Sequence, residues 1–252
     1  MTGASSGIGF ELARLFAEDG YDVVIAADDE GIHASADKLA STGAKVRPVQ
    51  VDLRDPEGVE RLYRTATEGG RHVDAAALNA GTGRGGPFVE GDLESDLNVV
   101  DLNVRSTVHL SKLILSDMAA RGSGKVLYTS SIVSQMPGSL QSMYNASKSF
   151  IQSFAEALYD ELRDTGVSVT SLMPGPTDTN FFARAGMADT VLARGPKDDP
   201  AKVAKQGYDA MMRGDRKVVA ASPLSKAIGL ANRFVPDSAK AVANRLISQP
   251  TR

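Results

Sequence analysis

Residues 2–9 read TGASSGIG, and residues 10–17 continue as FELARLFA, whose Phe10, Leu12, Ala13, Leu15, Phe16 and Ala17 give an amphipathic helix. Gly3, Gly7 and Gly9 suit a turn that needs unusual φ values and lets a ligand approach the backbone closely. A helix opening directly after such a turn points its unpaired N–H groups and positive dipole end at an anion such as a pyrophosphate. Any tight strand-to-helix corner favours glycine, so the turn alone is weak evidence. Two features strengthen it: a series of strand and helix segments follows, and acidic residues stand roughly 20 positions on, where a dinucleotide site places a ribose contact. A turn of this kind leaves a strand, yet only Met1 precedes it.

Downstream, short apolar runs alternate with segments of helical period. The strand candidates are DVVIAA (22–27), KVRPVQV (45–51), VDAAAL (73–78), KVLYTS (125–130), VSVTSLM (167–173) and KVVAA (217–221). Helical stretches are expected near 8–19, 32–42, 56–68, 92–121, 142–165 and 199–213. In the fifth, Ile151, Phe154, Ala155, Leu158 and Leu162 share one helix face. This alternation predicts an α/β fold: a Rossmann-like, doubly wound parallel sheet in three α/β/α layers. No linker, repeat or low-complexity tract divides residues 1–252, so one domain is expected. Residues 180–215 are expected to form a lid over the crevice and 223–252 a helical tail.

Composition narrows the function classes. With 28 basic and 31 acidic residues the net charge is −3, which lacks the electrostatic footprint of a nucleic-acid binder. The absence of cysteine excludes disulfides, thiolate metal sites and a cysteine nucleophile; His33, His72 and His109 have no ligand-like spacing, so no metal site is expected. No apolar run approaches the roughly 20 residues of a membrane span, and no signal pattern opens the chain. A cytoplasmic location is expected.

TGASSGIG, VDL (51–53), NAG (79–81), Leu102-Asn103, TSS (129–131), YNASK (144–148) and PGPTDT (174–179) occur in an order and spacing that resemble the short-chain dehydrogenase/reductase superfamily. The resemblance runs from Thr2 to about Thr179. It implies hydride transfer between a nicotinamide and a carbonyl or secondary alcohol carbon.

Tyr144 and Lys148 stand one helical turn apart on one face. A phenol is a poor base at neutral pH, but a neighbouring ammonium and a positive nicotinamide ring favour phenolate, which suits Tyr144 to general acid/base work. Ser131 follows the KVLYTS strand, where its hydroxyl can hold a substrate oxygen against the tyrosine; the resemblance assigns this role to Ser131 rather than Ser130. It also implies that Asn103 holds a water in a proton relay with Lys148 and that Lys148 binds the nicotinamide ribose. Taken singly, each residue has an ordinary structural explanation. Their joint occurrence at the family's spacing makes Asn103, Ser131, Tyr144 and Lys148 the expected catalytic set.

The second segment ends VVIAADDE. A carboxylate at Asp28 accepts hydrogen bonds from free ribose hydroxyls and repels a 2′-phosphate, and the glycine turn offers only Ser5 and Ser6, without a basic side chain. Both favour NAD over the alternative, NADP. The competing reading is a solvated turn at Asp28 and Asp29, with a basic residue reaching in from elsewhere. The resemblance supplies the remaining cofactor positions: Gly3, Gly7, Ile8 and Gly9 in the turn; Asp52 and Leu53 at the adenine; Asn79, Ala80 and Gly81 on the ribose side; and Pro174, Gly175 and Thr179 along the nicotinamide, with Tyr144 and Lys148. Leu78 stands where relatives carry the first asparagine of NNAG.

Phe181, Phe182, Met187, Val191 and Leu192 suit either a lid over a hydrophobic carbonyl compound or simple core packing. Ile228, Leu230, Phe234, Val242, Leu246 and Ile247 in the tail suit a core-packing helix, or one that meets a membrane or partner. The resemblance further implies a homodimer or homotetramer paired through the helices near 92–121 and 142–165. An epimerase or dehydratase of the same superfamily and a non-catalytic dinucleotide-binding protein are the alternatives. Relatives place about six apolar residues before the glycine turn as a central strand; without them two neighbours lose their partner, and weak folding or weak NAD binding is expected. A start read too late, with Met1 at the position of a relative's valine, is the leading explanation, and a truncated protein its rival.

Overall fold

Every apolar run read from the sequence forms a parallel strand in the computed structural model, which describes residues 1–220 and 236–249. The strands are β1 (Val23–Ala27), β2 (Val46–Gln50), β3 (Ala75–Leu78), β4 (Gly124–Thr129), β5 (Val167–Pro174) and β6 (Lys217–Ala220). Helices α1 (Gly7–Glu18), α2 (Gly31–Ala40), α3 (Pro56–Thr67), α4 (Leu93–Val100), α5 (Ser106–Arg121) and α6 (Ser142–Glu161) alternate with them. Short helices α7 (Phe181–Arg184) and α8 (Val191–Arg194) follow β5, then α9 (Pro200–Arg213) and α10 (Asp237–Ser248).

Helices cover both faces of the sheet. On one, Leu12 and Phe16 of α1, Leu39 of α2 and Val203 and Met211 of α9 pack against Ile25, Leu127 and Leu172. On the other, Val59 of α3, Leu110 and Met118 of α5 and Ile151 of α6 pack against Val126, Tyr128 and Val169. Successive strand residues point to opposite faces, so near-continuous apolar strands fill both layers. Local sequence fixes the helix ends. Asp55 accepts from the Glu57 N–H ahead of Pro56 at the first turn of α3, and Gly122, in the left-handed region at φ 70°, closes α5.

The sheet is interrupted at its centre. β2 and β1 form one pair and β3-β4-β5-β6 a second sheet, with Met1 and Thr2 alone between β1 and β3. Met1 donates its terminal amine to Val24 O at 2.9 Å and accepts from the Ala26 N–H at 2.9 Å; Thr2 N donates to Ala77 O at 3.1 Å. Beyond them lies a cavity of about 130 Å³, lined by Val24, Ala75, Ala77 and Leu110 among others.

The helix read over 92–121 runs without a gap from Leu93 to Arg121, with a π-helical turn at Asp101–Arg105 between α4 and α5 that hydrophobic periodicity does not register. Two expectations need correction. The span 180–215 divides, because α9 belongs to the core and only the portion up to Asp198 borders the crevice. In the tail, Val242 and Leu246 are exposed while the buried side chains of α10 are Asn244 and Ser248; Ile228, Leu230 and Phe234 lie outside the described residues.

Candidate active site

The strand ends and the glycine turn open onto one cavity of about 570 Å³. At one end Gly3, Ser5, Ser6, Gly7 and Ile8 meet Asp28, Asp52 and Leu53; at the other stand Ser131, Tyr144 and Lys148, with Asn79, Ala80, Gly81, Pro174, Gly175 and Thr179 between. Of the catalytic and cofactor-binding residues expected from sequence, Gly9 and Asn103 do not line it.

Backbone geometry explains the glycines. Gly7 sits at φ +59°, and a Cβ there would lie 2.8 Å from Thr179 Cγ2, so any side chain would close the cleft at its narrowest point. Gly9 has a packing duty instead, since its Cβ would lie 2.0 Å from the Gly3 carbonyl oxygen. Ser6 at the N-cap makes no side-chain bond to the first turn of α1, which leaves that helix end open toward the cavity. Thr2 and Asn79 hold the turn in place. Thr2 Oγ1 accepts from the N–H groups of Asn79 and Ala80 at 2.9 and 3.0 Å, and Asn79 Nδ2 donates to Gly3 O at 3.3 Å.

At the opposite end, α6 presents Tyr144 and Lys148 one turn apart, and Ser131 follows β4 in extended conformation. Ser131 hydrogen-bonds the Tyr144 hydroxyl and lies 3.5 Å from Pro174 O. Lys148 Nζ donates to Thr129 O at 2.8 Å and stands 5.8 Å from the Tyr144 ring centroid. Burial holds the lysine down to about 8 and pushes the phenol up to about 12, with the Ser131 bond pulling the latter back. Among the chain's own groups, burial is the larger influence on the phenol. Phe181 covers Tyr144, ring centroids 4.9 Å apart.

Asn103 is buried and held by protein groups. Its Oδ1 accepts from the Thr82 N–H at 2.8 Å and its Nδ2 donates to Thr82 O and Ser147 Oγ at 2.8 and 2.9 Å. The buried amide thus braces the loop after β3 against α6.

Two cations enter the acidic end from outside the glycine turn, as the competing reading of Asp28 and Asp29 allowed. Arg54 Nε bonds both oxygens of Asp52 at 2.9 Å and its Nη2 lies 3.8 Å from Asp28; Arg184 of α7 lies 3.8 Å from Asp29, which also accepts from Ser5 Oγ at 2.7 Å. The Arg54 bonds hold the Asp52 carboxyl below its ordinary range. Arg54 had a sequence signal: β1 and β2 are adjacent parallel strands, so residues just past their ends become neighbours. Arg184 had none.

The cavity fits an extended dinucleotide, with a helix N-terminus and two close glycines at one end and convergent hydroxyls at the other. The sequence model of the short chain dehydrogenase family matches residues 1–189. The chain belongs to that family. It is 30% identical over 206 residues to the oxidoreductase UcpA of Salmonella typhimurium, covering 81% of this chain and 75% of the relative. It is 37% identical over 183 residues to 1-deoxy-11-beta-hydroxypentalenate dehydrogenase of Streptomyces exfoliatus, covering 71% and 66%. A short-chain dehydrogenase from Sphingobium yanoikuyae in complex with NADPH superposes with a TM-score of 0.80 at 26% identity, over 94% of this chain and 96% of the other. This short-chain dehydrogenase is an NAD(P)-dependent oxidoreductase acting on a small molecule. Among its described residues no cluster of three metal-ligating side chains occurs, and no helix is long and apolar enough to cross a membrane.

Proposed function

We propose that this short-chain dehydrogenase interconverts a ketone and a secondary alcohol, with Tyr144 as the proton-transferring group and NAD as the preferred cofactor. The observation that carries the reading is the meeting of the Ser131 and Tyr144 hydroxyls at one end of a cavity whose other end is the glycine turn. When bound, the nicotinamide supplies or accepts the hydride at the reacting carbon. Ser131 holds the substrate oxygen beside Tyr144. In reduction, Tyr144 donates its proton to that oxygen as the carbon gains hydride; in oxidation the proton returns to the phenol oxygen. Lys148 offers its Nζ to the nicotinamide ribose, while Gly3, Ser5, Ser6, Gly7 and Ile8 take the pyrophosphate and Pro174, Gly175 and Thr179 border the nicotinamide.

At the adenosine end three carboxylates, Asp28, Asp29 and Asp52, face two guanidinium groups, Arg54 and Arg184. That balance leaves a net negative wall, which favours ribose hydroxyls over a 2′-phosphate. Exposed Leu97 of α4, Val108 of α5 and Phe150 of α6 support homo-oligomer formation through these helices. Tyr144→Phe tests the mechanism: turnover should fall by roughly a hundredfold or more while NADH titration changes little. Retention of near wild-type turnover would remove Tyr144 from the reaction.

A further inference from the structure

Two amides at the substrate end have no part in this chemistry. Gln141, at the N-cap of α6 three residues before Tyr144, is 3% exposed, and Asn244 of α10 is 2% exposed, yet both line the cavity. Ser248 joins them: Gln141 Nε2 donates to its hydroxyl at 2.6 Å, and that hydroxyl donates to Asn244 Oδ1 at 2.8 Å. Among the described residues, Gln141 Oε1 and Asn244 Nδ2 meet no protein partner. The surrounding wall is apolar, with Val133, Met136, Phe182, Leu192 and Ile247.

A ligand that fills this end displaces water from the two amides, so it must satisfy one acceptor and one donor in the water's place. A ligand made only of carbon there would strand both. A hydroxyl matches both, since its O–H donates to Gln141 Oε1 while its oxygen accepts from Asn244 Nδ2. A second carbonyl would satisfy Asn244 alone. Neither amide is charged, which suits a neutral group over a carboxylate. The triad also ties α10 to the start of α6, three residues from the tyrosine, so a substrate engaged at this wall is oriented relative to the phenol.

We propose that the substrate is an apolar ketone or secondary alcohol carrying a second, remote hydroxyl group, read by Gln141 and Asn244. This rests on the oxidoreductase reading of the same cavity. The test titrates matched ketones into the full chain by calorimetry, with and without saturating oxidised nicotinamide cofactor: para-hydroxyacetophenone against acetophenone, and para-hydroxybenzylacetone against benzylacetone. At least one hydroxylated compound should bind roughly tenfold tighter than its parent. That ratio should fall to near one in Asn244→Leu and in Gln141→Met, substitutions on separate elements, so either one alone remains informative. A ratio near one in the wild type for both pairs, no measurable binding of any member, or a ratio that survives both substitutions overturns the proposal. Failure of the cofactor to bind in the same titrations would count against the oxidoreductase reading, and the ketone ratio would still decide this one.

Discussion

Asp28 is the residue whose chemistry most directly invites measurement. With Arg54 drawn onto Asp52, Asp28 is left as the carboxylate that a ribose 2′-hydroxyl or its phosphate would meet. Removing it in Asp28→Ala should shift the NADH-to-NADPH affinity ratio toward NADPH by roughly tenfold, read by nicotinamide fluorescence titration. Tighter binding of NADPH than NADH to the wild type would reverse the assignment.

At the scale of elements, α4, α5 and α6 leave Leu97, Val108 and Phe150 on the surface although these helices bury their opposite faces. Phe150→Glu should convert the proposed oligomer to a smaller species in light scattering coupled to size exclusion, with the melting temperature lowered. An unchanged mass would leave this face without a partner. Element identity was legible in the chain because strand and helix signals are local: the 142–165 pattern produced α6, and the four-residue spacing placed Tyr144 and Lys148 on one face. The π turn that carries Asn103 was not legible, since one extra residue per turn leaves the apolar spacing on either side intact. The bonds from Asn103 to Thr82 and Ser147 were likewise hidden, because they depend on how the loop after β3 meets α6. The same holds for Gln141 and Asn244, which come together only when α10 folds back across the cavity.

The whole molecule shows what order of strands alone could not. The sequence correctly implied a parallel α/β sheet, but the way Met1 and Thr2 bond to β1 and β3 is a matter of tertiary hydrogen bonding. The interruption also runs beneath the crevice. Asp28 and Asp52 belong to the β1-β2 side, whereas Ser131, Tyr144 and Lys148 belong to the β3-to-β6 side. The two parts share both cores: Ile25 packs in one cluster with Leu127 and Leu172, and Ala26 and Val49 in another with Val126 and Val169. A dinucleotide lying along the crevice touches both sides at once, so saturating cofactor should raise the deuterium-exchange protection of Ile25 and of Val126 together. Protection gained on one side alone would contradict a cofactor that spans the crevice. The coenzyme would then act as a clasp across the sheet as well as a carrier of hydride.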